Sequence, residues 1–462
     1  MPSFMHSATN PQLTVQDLSF RYPGTEQPTL SGIDLTINVG EIVLVAGATG
    51  SGKSTLLQCL AGISPSHTGG SLTGNIKYGT EDIHNWSVRQ RSQYFGILLQ
   101  NVETQIFTDC VWEELVFGLE NWNVPQVKIG EIALAALQEF GLELQRNWTI
   151  DRLSAGQKQR LLLACLLSMN QPILLLDEPL AYLDTQGVNL LLQLLKTKAS
   201  HGQAVLIIEH RLDVVNQICD RTYRMLDGKL QEQNIQSRIG FKEKTNALLS
   251  NLHRPKVLDR DRLSNVLKTL NLSWGGYPPF PDLEVAAGET LLLKGENGCG
   301  KTTLLKLLSG LLKPTTGSIK ILGRENTSRR VVEIARDVGF VLQNPNHQLF
   351  AESVRAEFLQ PGVALDVANS LLERLNLSEL MMKHPQALSQ GQKRRLALGA
   401  VLARQPQLCL LDEIVVGQDP DSLKLMLSVL KHYTERGGAL ILTDHDPSVA
   451  TVLDARVLEL SS

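Results

Sequence analysis

The chain has 462 residues, of which 43% are hydrophobic, 20% charged and 5% aromatic. That profile fits a soluble globular protein with enough apolar side chains for a sizeable core, and it excludes disorder for the bulk of the chain. The 44 basic and 47 acidic side chains leave a net charge of −3, which gives no global attraction to nucleic acid or to an anionic membrane.

In chain order, the opening MPSFMHSATN lacks a charged start followed by an apolar stretch, so no secretory leader is expected. No apolar run approaches about 18 residues, the length that spans a bilayer. The short apolar runs Glu41 to Ala46 and Glu289 to Lys294 each end at a glycine and read as buried strands. The spacing predicts helices from Lys53 to Leu60 and from Lys301 to Leu308. Further buried strands are expected at Ile173 to Leu176, Ala204 to Ile208, Leu408 to Leu411 and Ala439 to Leu442. Strands alternating with helices imply an α/β fold with a mostly parallel sheet. The 6 cysteines form no C-x-x-C pair, which argues against a zinc cluster or a disulfide framework and points to a reducing compartment.

The chain is one unit written twice. GATGSGKS from Gly47 matches GENGCGKT from Gly295, and LSAGQKQR from Leu153 matches LSQGQKRR from Leu388. The pairs Asp177–Glu178 and Asp412–Glu413 follow, and then His210 and His445. The spacing from each signature serine to its aspartate, and from each aspartate to its histidine, is the same in both halves. We therefore expect a first domain over 11–231, a linker over 232–261 and a second domain over 262–462. The linker is polar, carries none of the repeated motifs and is expected to be partly helical around Asn246 to Leu252.

The strongest chemical signal is G-x-x-x-x-G-K-[ST], present twice. In the first copy, Gly47, Ala48, Thr49, Gly50, Ser51, Gly52, Lys53, Ser54 and Thr55 form a loop whose backbone N–H groups would cradle phosphates. In the second, Gly295, Glu296, Asn297, Gly298, Cys299, Gly300, Lys301, Thr302 and Thr303 do the same. The following helix aims its positive end at that place. Lys53 and Lys301 suit the β and γ phosphates, and the Ser54 and Thr302 hydroxyls suit Mg²⁺. Asp177 and Asp412 end apolar strands where a carboxylate can reach the metal, and Glu178 and Glu413 are placed to polarise an attacking water. Ser154-x-x-Gln157 and Ser389-x-x-Gln392 fit a helix capping box, while Gly156 and Gly391 fit an anion site at the same helix start. His210 and His445 are candidates for a γ-phosphate contact. Gln100 and Gln343 follow apolar runs, and both a contact to Mg²⁺ and water and a plain strand-end role stay open.

Phosphate loop, glutamine, LSxGQ, DE and histidine, in that order and twice, resemble the ATP-binding cassette (ABC) ATPases over nearly the whole chain outside the linker. The resemblance implies two tandem P-loop nucleotide-binding domains. Each would have a mostly parallel core sheet, an antiparallel β subdomain and a helical signature subdomain. It implies ATP and Mg²⁺ as cofactors and ATP hydrolysis as the reaction. It further implies head-to-tail pairing, with Lys53 facing Ser389 and Gly391, and Lys301 facing Ser154 and Gly156. Leu183–Asp184 and Gln418–Asp419 resemble the D-loop, and Tyr22 resembles the residue that stacks on adenine. Trp274 or Tyr277 is its candidate counterpart. Three positions depart from the family pattern: Gln390 in the signature, Ile414 after the second DE pair, and Gln418 before the D-loop aspartate. The site using Lys53 and Ser389 borrows the altered signature.

The segments after Gln100 and Gln343 (QNVETQIFTDCVWEELVFGLEN and QNPNHQLFAESVRAEF) resemble the energy-coupling factor (ECF) importers of vitamins and transition-metal ions. That implies a peripheral protein at the cytoplasmic face of the plasma membrane. Its partners would be a transmembrane T component and a substrate-binding membrane S component, with no nucleic acid. The alternatives are a soluble tandem ABC ATPase acting on ribosomes or nucleic acid, and a fused sugar-importer ATPase.

Overall fold

In the computed structural model, the described residues are 11–122, 124–233, 264–275, 279–296, 298–415, 418–444 and 447–460. The chain divides into two compact units, Met1–Lys242 and Glu243–Ser462. The helix expected around Asn246 to Leu252 lies outside the described residues.

The first unit is built on a six-stranded sheet with the order Lys229–Gln233, Arg221–Leu226, Ile42–Gly47, Ala204–Ile208, Ile173–Asp177, Phe95–Leu98. All neighbours are parallel except the Lys229–Gln233 and Arg221–Leu226 pair. The four strands Ile42–Gly47, Ala204–Ile208, Ile173–Asp177 and Phe95–Leu98 are buried on both faces, and alternate residues serve different cores, whereas the edge strand Lys229–Gln233 is largely exposed. Leu44, Leu174, Leu176, Val205 and Ile207 face the layer of helices Val111–Asn121, Gln126–Glu139 and Ala155–Ser168. Val43, Val45, Ile173, Leu175, Leu206 and Ile208 face helix Lys53–Ala61 and a four-stranded antiparallel sheet. That sheet runs Leu30–Asn38, Pro11–Arg21, Ser71–Tyr78, Glu81–Asp82.

The second unit repeats the plan. Its core sheet, ordered Val338–Val341, Leu408–Asp412, Ala439–Thr443, Thr290–Lys294, Arg456–Glu459, is parallel throughout. Leu292, Cys409, Leu411, Leu440 and Leu442 pack on the helical side, whereas Leu291, Leu293, Leu408, Leu410 and Ile441 pack towards Lys301–Leu308. Its antiparallel sheet runs Glu284–Ala286, Asn265–Ser273, Thr316–Ile321, Arg324–Glu325. The two units differ in the helix that follows the glutamine segment. It has 11 residues at Val111–Asn121 but 5 at Val354–Phe358, which is followed by helix Leu365–Arg374.

One buried cation braces the phosphate-loop helix of the first unit. Arg91 is 1% exposed. Its guanidinium donates to the carbonyls of Cys59 (2.9 Å), Leu60 (2.7 Å), Ile83 (2.8 Å) and His84 (2.8 Å). Cys59 and Leu60 sit in the last turn of helix Lys53–Ala61, where carbonyls lack intrahelical partners and the helix dipole favours a positive charge. Burial lowers the Arg91 pKa to about 10, which still leaves it charged at neutral pH. Arg91→Met strips donors from four carbonyls at once, so we expect a loss of at least ~3 kcal/mol in urea unfolding of the whole chain.

Candidate functional site

In each unit the phosphate loop, the Asp–Glu pair and the glutamine stand at or just past the carboxyl ends of parallel core strands. That is where open α/β sheets place their ligands. Gly47 closes Ile42–Gly47, and helix Lys53–Ala61 begins six residues later in the sequence. Gly52 caps this helix with φ 106°, and Gly300 caps its counterpart with φ 95°. A Cβ on Gly52 would also lie 3.0 Å from both Leu30 Cδ2 and the Thr29 carbonyl. Neither helix start has a side-chain cap or an acidic first turn, so the backbone donors there are suited to an anion. The Ser51 hydroxyl in the loop is buried without a hydrogen-bond partner.

Lys53 Nζ donates to the Gly47 and Ala48 carbonyls, both at 2.8 Å. Lys301 Nζ donates to Gly295 (2.6 Å) and Glu296 (3.0 Å). Each ammonium is thus curled across the mouth of its own loop. Glycine loop, uncapped helix start, lysine and orphaned hydroxyl together fit a nucleotide phosphate chain.

The carboxylates lie one strand further along each sheet, with Ala204–Ile208 or Ala439–Thr443 between them and the phosphate-loop strand. Asp177 ends Ile173–Asp177 and hydrogen-bonds Ser54; Asp412 ends Leu408–Asp412 and hydrogen-bonds Thr302. Burial, then the adjacent glutamate, pushes Asp177 up to about 7 and Asp412 up to about 6. A metal ion would relieve that cost, and the hydroxyl–carboxylate pairing is a donor set suited to Mg²⁺. Glu178 and Glu413 follow with φ of 52° and 48°. This left-handed region is rare for a residue without Asn or Gly character, and it costs of order 1–3 kcal/mol.

Gln100 and Gln343 reach the same glutamates. Gln100 Nε2 donates to Glu178 Oε1 at 2.9 Å, and Gln343 Nε2 donates to Glu413 Oε2 at 2.6 Å. His210 Nε2 stands 3.3 Å from Glu178 Oε1. Burial works against protonation of His210, but the Glu178 hydrogen bond and charge outweigh it, and its pKa is raised. Glu209 is pushed up to about 7 by burial. In the first unit the lysine, Asp–Glu pair, glutamine and histidine are therefore one cluster. In the second, His445 lies outside the described residues, as does Asn297.

The signature residues begin long helices. Ser154 and Ser389 cap Ala155–Ser168 and Gln390–Ala403, each in a complete capping box with Gln157 or Gln392. Gly156 and Gly391 are buried in the first turns. Asp184 caps Thr185–Ser200 through the Gly187 amide (2.8 Å) and pairs with Arg160 at 2.8 Å. Tyr22 is half-buried. Its hydroxyl lies 3.2 Å from Thr55 Oγ1, and its ring meets Phe20 edge-on at 4.8 Å. Trp274 packs on the second unit's core, and Tyr277 lies outside the described residues.

Four residues that hold the glutamine segments escaped the sequence reading. Gln105 Oε1 accepts from the Leu99 amide (2.7 Å) and Gln348 Oε1 from the Leu342 amide (2.6 Å). The buried Glu114 accepts from Phe107 and Thr108 amides, and Glu357 from Phe350 and Ala351 amides. The available signal was their recurrence at equal distances after Gln100 and Gln343.

A family profile described as "ABC transporter" matches residues 30–181 and 281–416. A Treponema denticola protein with the provisional name ABC transporter ATP-binding protein is 32% identical over 454 residues, covering 94% of this chain and 92% of its own. A Bacillus subtilis protein provisionally named HMP/thiamine import ATP-binding protein YkoD is 31% identical, covering 97% of this chain and 89% of its own. Among solved structures, one titled as archaeal ribosome recycling factor aABCE1 with ribosomal stalk protein aP1 matches with TM-score 0.62 at 20% identity. It covers 96% of this chain and 87% of that one. A model of ribosome-bound archaeal Pelota and ABCE1 matches with TM-score 0.65 at 20% identity, covering 94% and 74%. Likeness at that identity carries the fold.

These findings correct the expected partners. The solved chains that match nearly the full length are titled with ribosomal partners, not with a transmembrane T component or a membrane S component. The expectation of T and S partners, and with it that of no nucleic-acid client, is withdrawn. The ECF likeness read from the glutamine segments reflects local sequence, which does not specify a partner chain. Among the described residues no helix is long and apolar enough to cross a membrane.

The left-handed backbone at Glu178 gives a test independent of activity. Glu178→Gly should melt above Glu178→Ala, by about 1 kcal/mol, reversing the usual order of these residues. Equal melting of the two variants in calorimetry would show an unstrained position.

Proposed function

This chain belongs to the ABC transporter family, and from that premise we propose that its two halves form an ATP-driven motor with Glu178 and Glu413 as the hydrolytic carboxylates. The protein is a tandem ABC ATPase that binds ATP with Mg²⁺ and hydrolyses ATP. The proposal rests on one observation: each Asp–Glu pair stands beside its phosphate loop, with a glutamine bonded to the glutamate. The proposed domains are 11–231 and 262–462, joined by 232–261.

Bound Mg²⁺ supplies charge neutralisation on the phosphates. Ser54, Asp177 and Gln100 would hold it in the first half, and Thr302, Asp412 and Gln343 in the second. Gly47, Ala48, Thr49, Gly50, Ser51, Gly52 and Thr55 present the loop to the phosphates, as do Gly295, Glu296, Asn297, Gly298, Cys299, Gly300 and Thr303. Lys53 and Lys301 exchange their loop carbonyls for phosphate oxygens. Glu178 and Glu413 take the proton of the attacking water, with Gln100 or Gln343 fixing the carboxylate's orientation. His210 and His445 contact the γ-phosphate, and Tyr22 stacks on adenine. Ser154 with Gly156 in the first half, and Ser389 with Gly391 in the second, present the starts of their helices as further anion sites for nucleotide.

Two clients have separate support. A soluble ATPase acting on the ribosome or on nucleic acid follows from the titles of the full-length structural matches. With a net charge of −3, any such contact must come from local basic patches. The reading as an importer's ATP-binding subunit draws on the provisional import name of the relative at 31% identity, and its ECF-like, membrane-peripheral form draws only on the segments after Gln100 and Gln343.

Glu178→Gln with Glu413→Gln should keep ATP binding and stop turnover, with kcat down by at least about 100-fold. Hydrolysis at the parent rate would remove both glutamates from this role. The same variant, ATP-loaded, should co-sediment with ribosomes under the first client reading and float with membranes under the second.

A further inference from the structure

The register of the two core sheets isolates one difference beside the carboxylate pair. In the first unit Asp177 lies opposite Ile208; in the second Asp412 lies opposite Thr443. The Glu178 amide donates to the Ile208 carbonyl at 2.9 Å, and Asp177 Oδ1 is buried without a hydrogen-bond partner. In the second unit the Glu413 amide donates to Thr443 Oγ1 at 2.9 Å, and that hydroxyl lies 3.0 Å from Asp412 Oδ1. Thr443 is 1% exposed.

A hydroxyl has a single proton. Thr443 Oγ1 accepts from the Glu413 amide through a lone pair and donates its proton to Asp412 Oδ1. One buried atom therefore fixes both the aspartate's carboxylate and the left-handed main chain at Glu413. In the first unit the Ile208 carbonyl holds the Glu178 amide, but the Ile208 side chain offers Asp177 no hydrogen bond, so the difference falls on the aspartate. The contrast does not depend on residues of the phosphate loop, which match in both halves at the lysine and hydroxyl positions.

We propose that Thr443 is a positioning residue for the second half's hydrolytic pair, and that the two halves therefore turn over ATP unequally. The proposal rests on the assignment of Asp412 and Glu413 made above. Partners of buried metal-side carboxylates typically affect metal affinity and activity by roughly 10- to 100-fold.

The test uses the full chain with Glu178→Gln, so that turnover reports the second half. Adding Thr443→Val, which keeps the branched shape, should lower kcat by about tenfold or more with KM for ATP unchanged. Mn²⁺ affinity in the presence of a non-hydrolysable ATP analogue, read by electron paramagnetic resonance, should weaken by a similar factor. Thr443→Ser should restore both. A folded Thr443→Val protein with parent kcat and parent Mn²⁺ affinity overturns the proposal. If Thr443→Val does not fold, Ile208→Thr in the Glu413→Gln chain replaces it. Tighter Mn²⁺ binding there supports the proposal, and unchanged binding overturns it. Residual hydrolysis in the Glu178→Gln, Glu413→Gln double variant would fault the glutamate assignment instead, because Thr443 is intact in that protein.

Discussion

The structure is organised around burying two adjacent carboxylates at the end of a central strand. Asp177 and Asp412 are both 3% exposed, and Glu178 and Glu413 are 9% and 6% exposed. Burial of this kind is unfavourable unless charge or hydrogen bonds compensate. Much of the surrounding architecture does so: a hydroxyl from the phosphate-loop helix, an amide from the glutamine segment and, in the first unit, an imidazole. The parallel sheet brings these groups together because every contributing strand ends on the same edge. The left-handed turn at each glutamate then carries the chain away and points the carboxylate back at the site.

Most of this was legible in the sequence, for physical reasons. The glycine loops stand out because a chain that bends tightly around an anion needs residues without Cβ. The buried strands stand out because a parallel sheet covered on both faces must be apolar at every position, and Ala204–Ile208 falls where the run of aliphatic residues predicts. The capping boxes were readable because Ser154 and Gln157 satisfy each other locally, whatever the tertiary context.

Other features were hidden. A glutamate has no preference for positive φ, so nothing in the DE dipeptide announces the strained turn; only the surrounding packing imposes it. Thr443 reads as an ordinary strand residue, since β-branched side chains suit strands with or without a hydrogen-bonding task. Gln105 and Glu114 act on backbone amides, which carry no residue identity and leave no compositional trace. The partner expectation failed for a related reason. Client choice depends on surface shape, and a resemblance confined to the segments after Gln100 and Gln343 does not determine it.

The brace made by Arg91 gives the first unit a mechanical property. Its guanidinium joins the far end of the phosphate-loop helix to the Ile83–His84 segment beside the antiparallel sheet. Any rotation of that helix must drag this segment with it or break charged bonds in a dry interior. The helix and the antiparallel layer are therefore geared together. A shift of that helix at the phosphate end would be passed through the guanidinium to the Ile83–His84 segment.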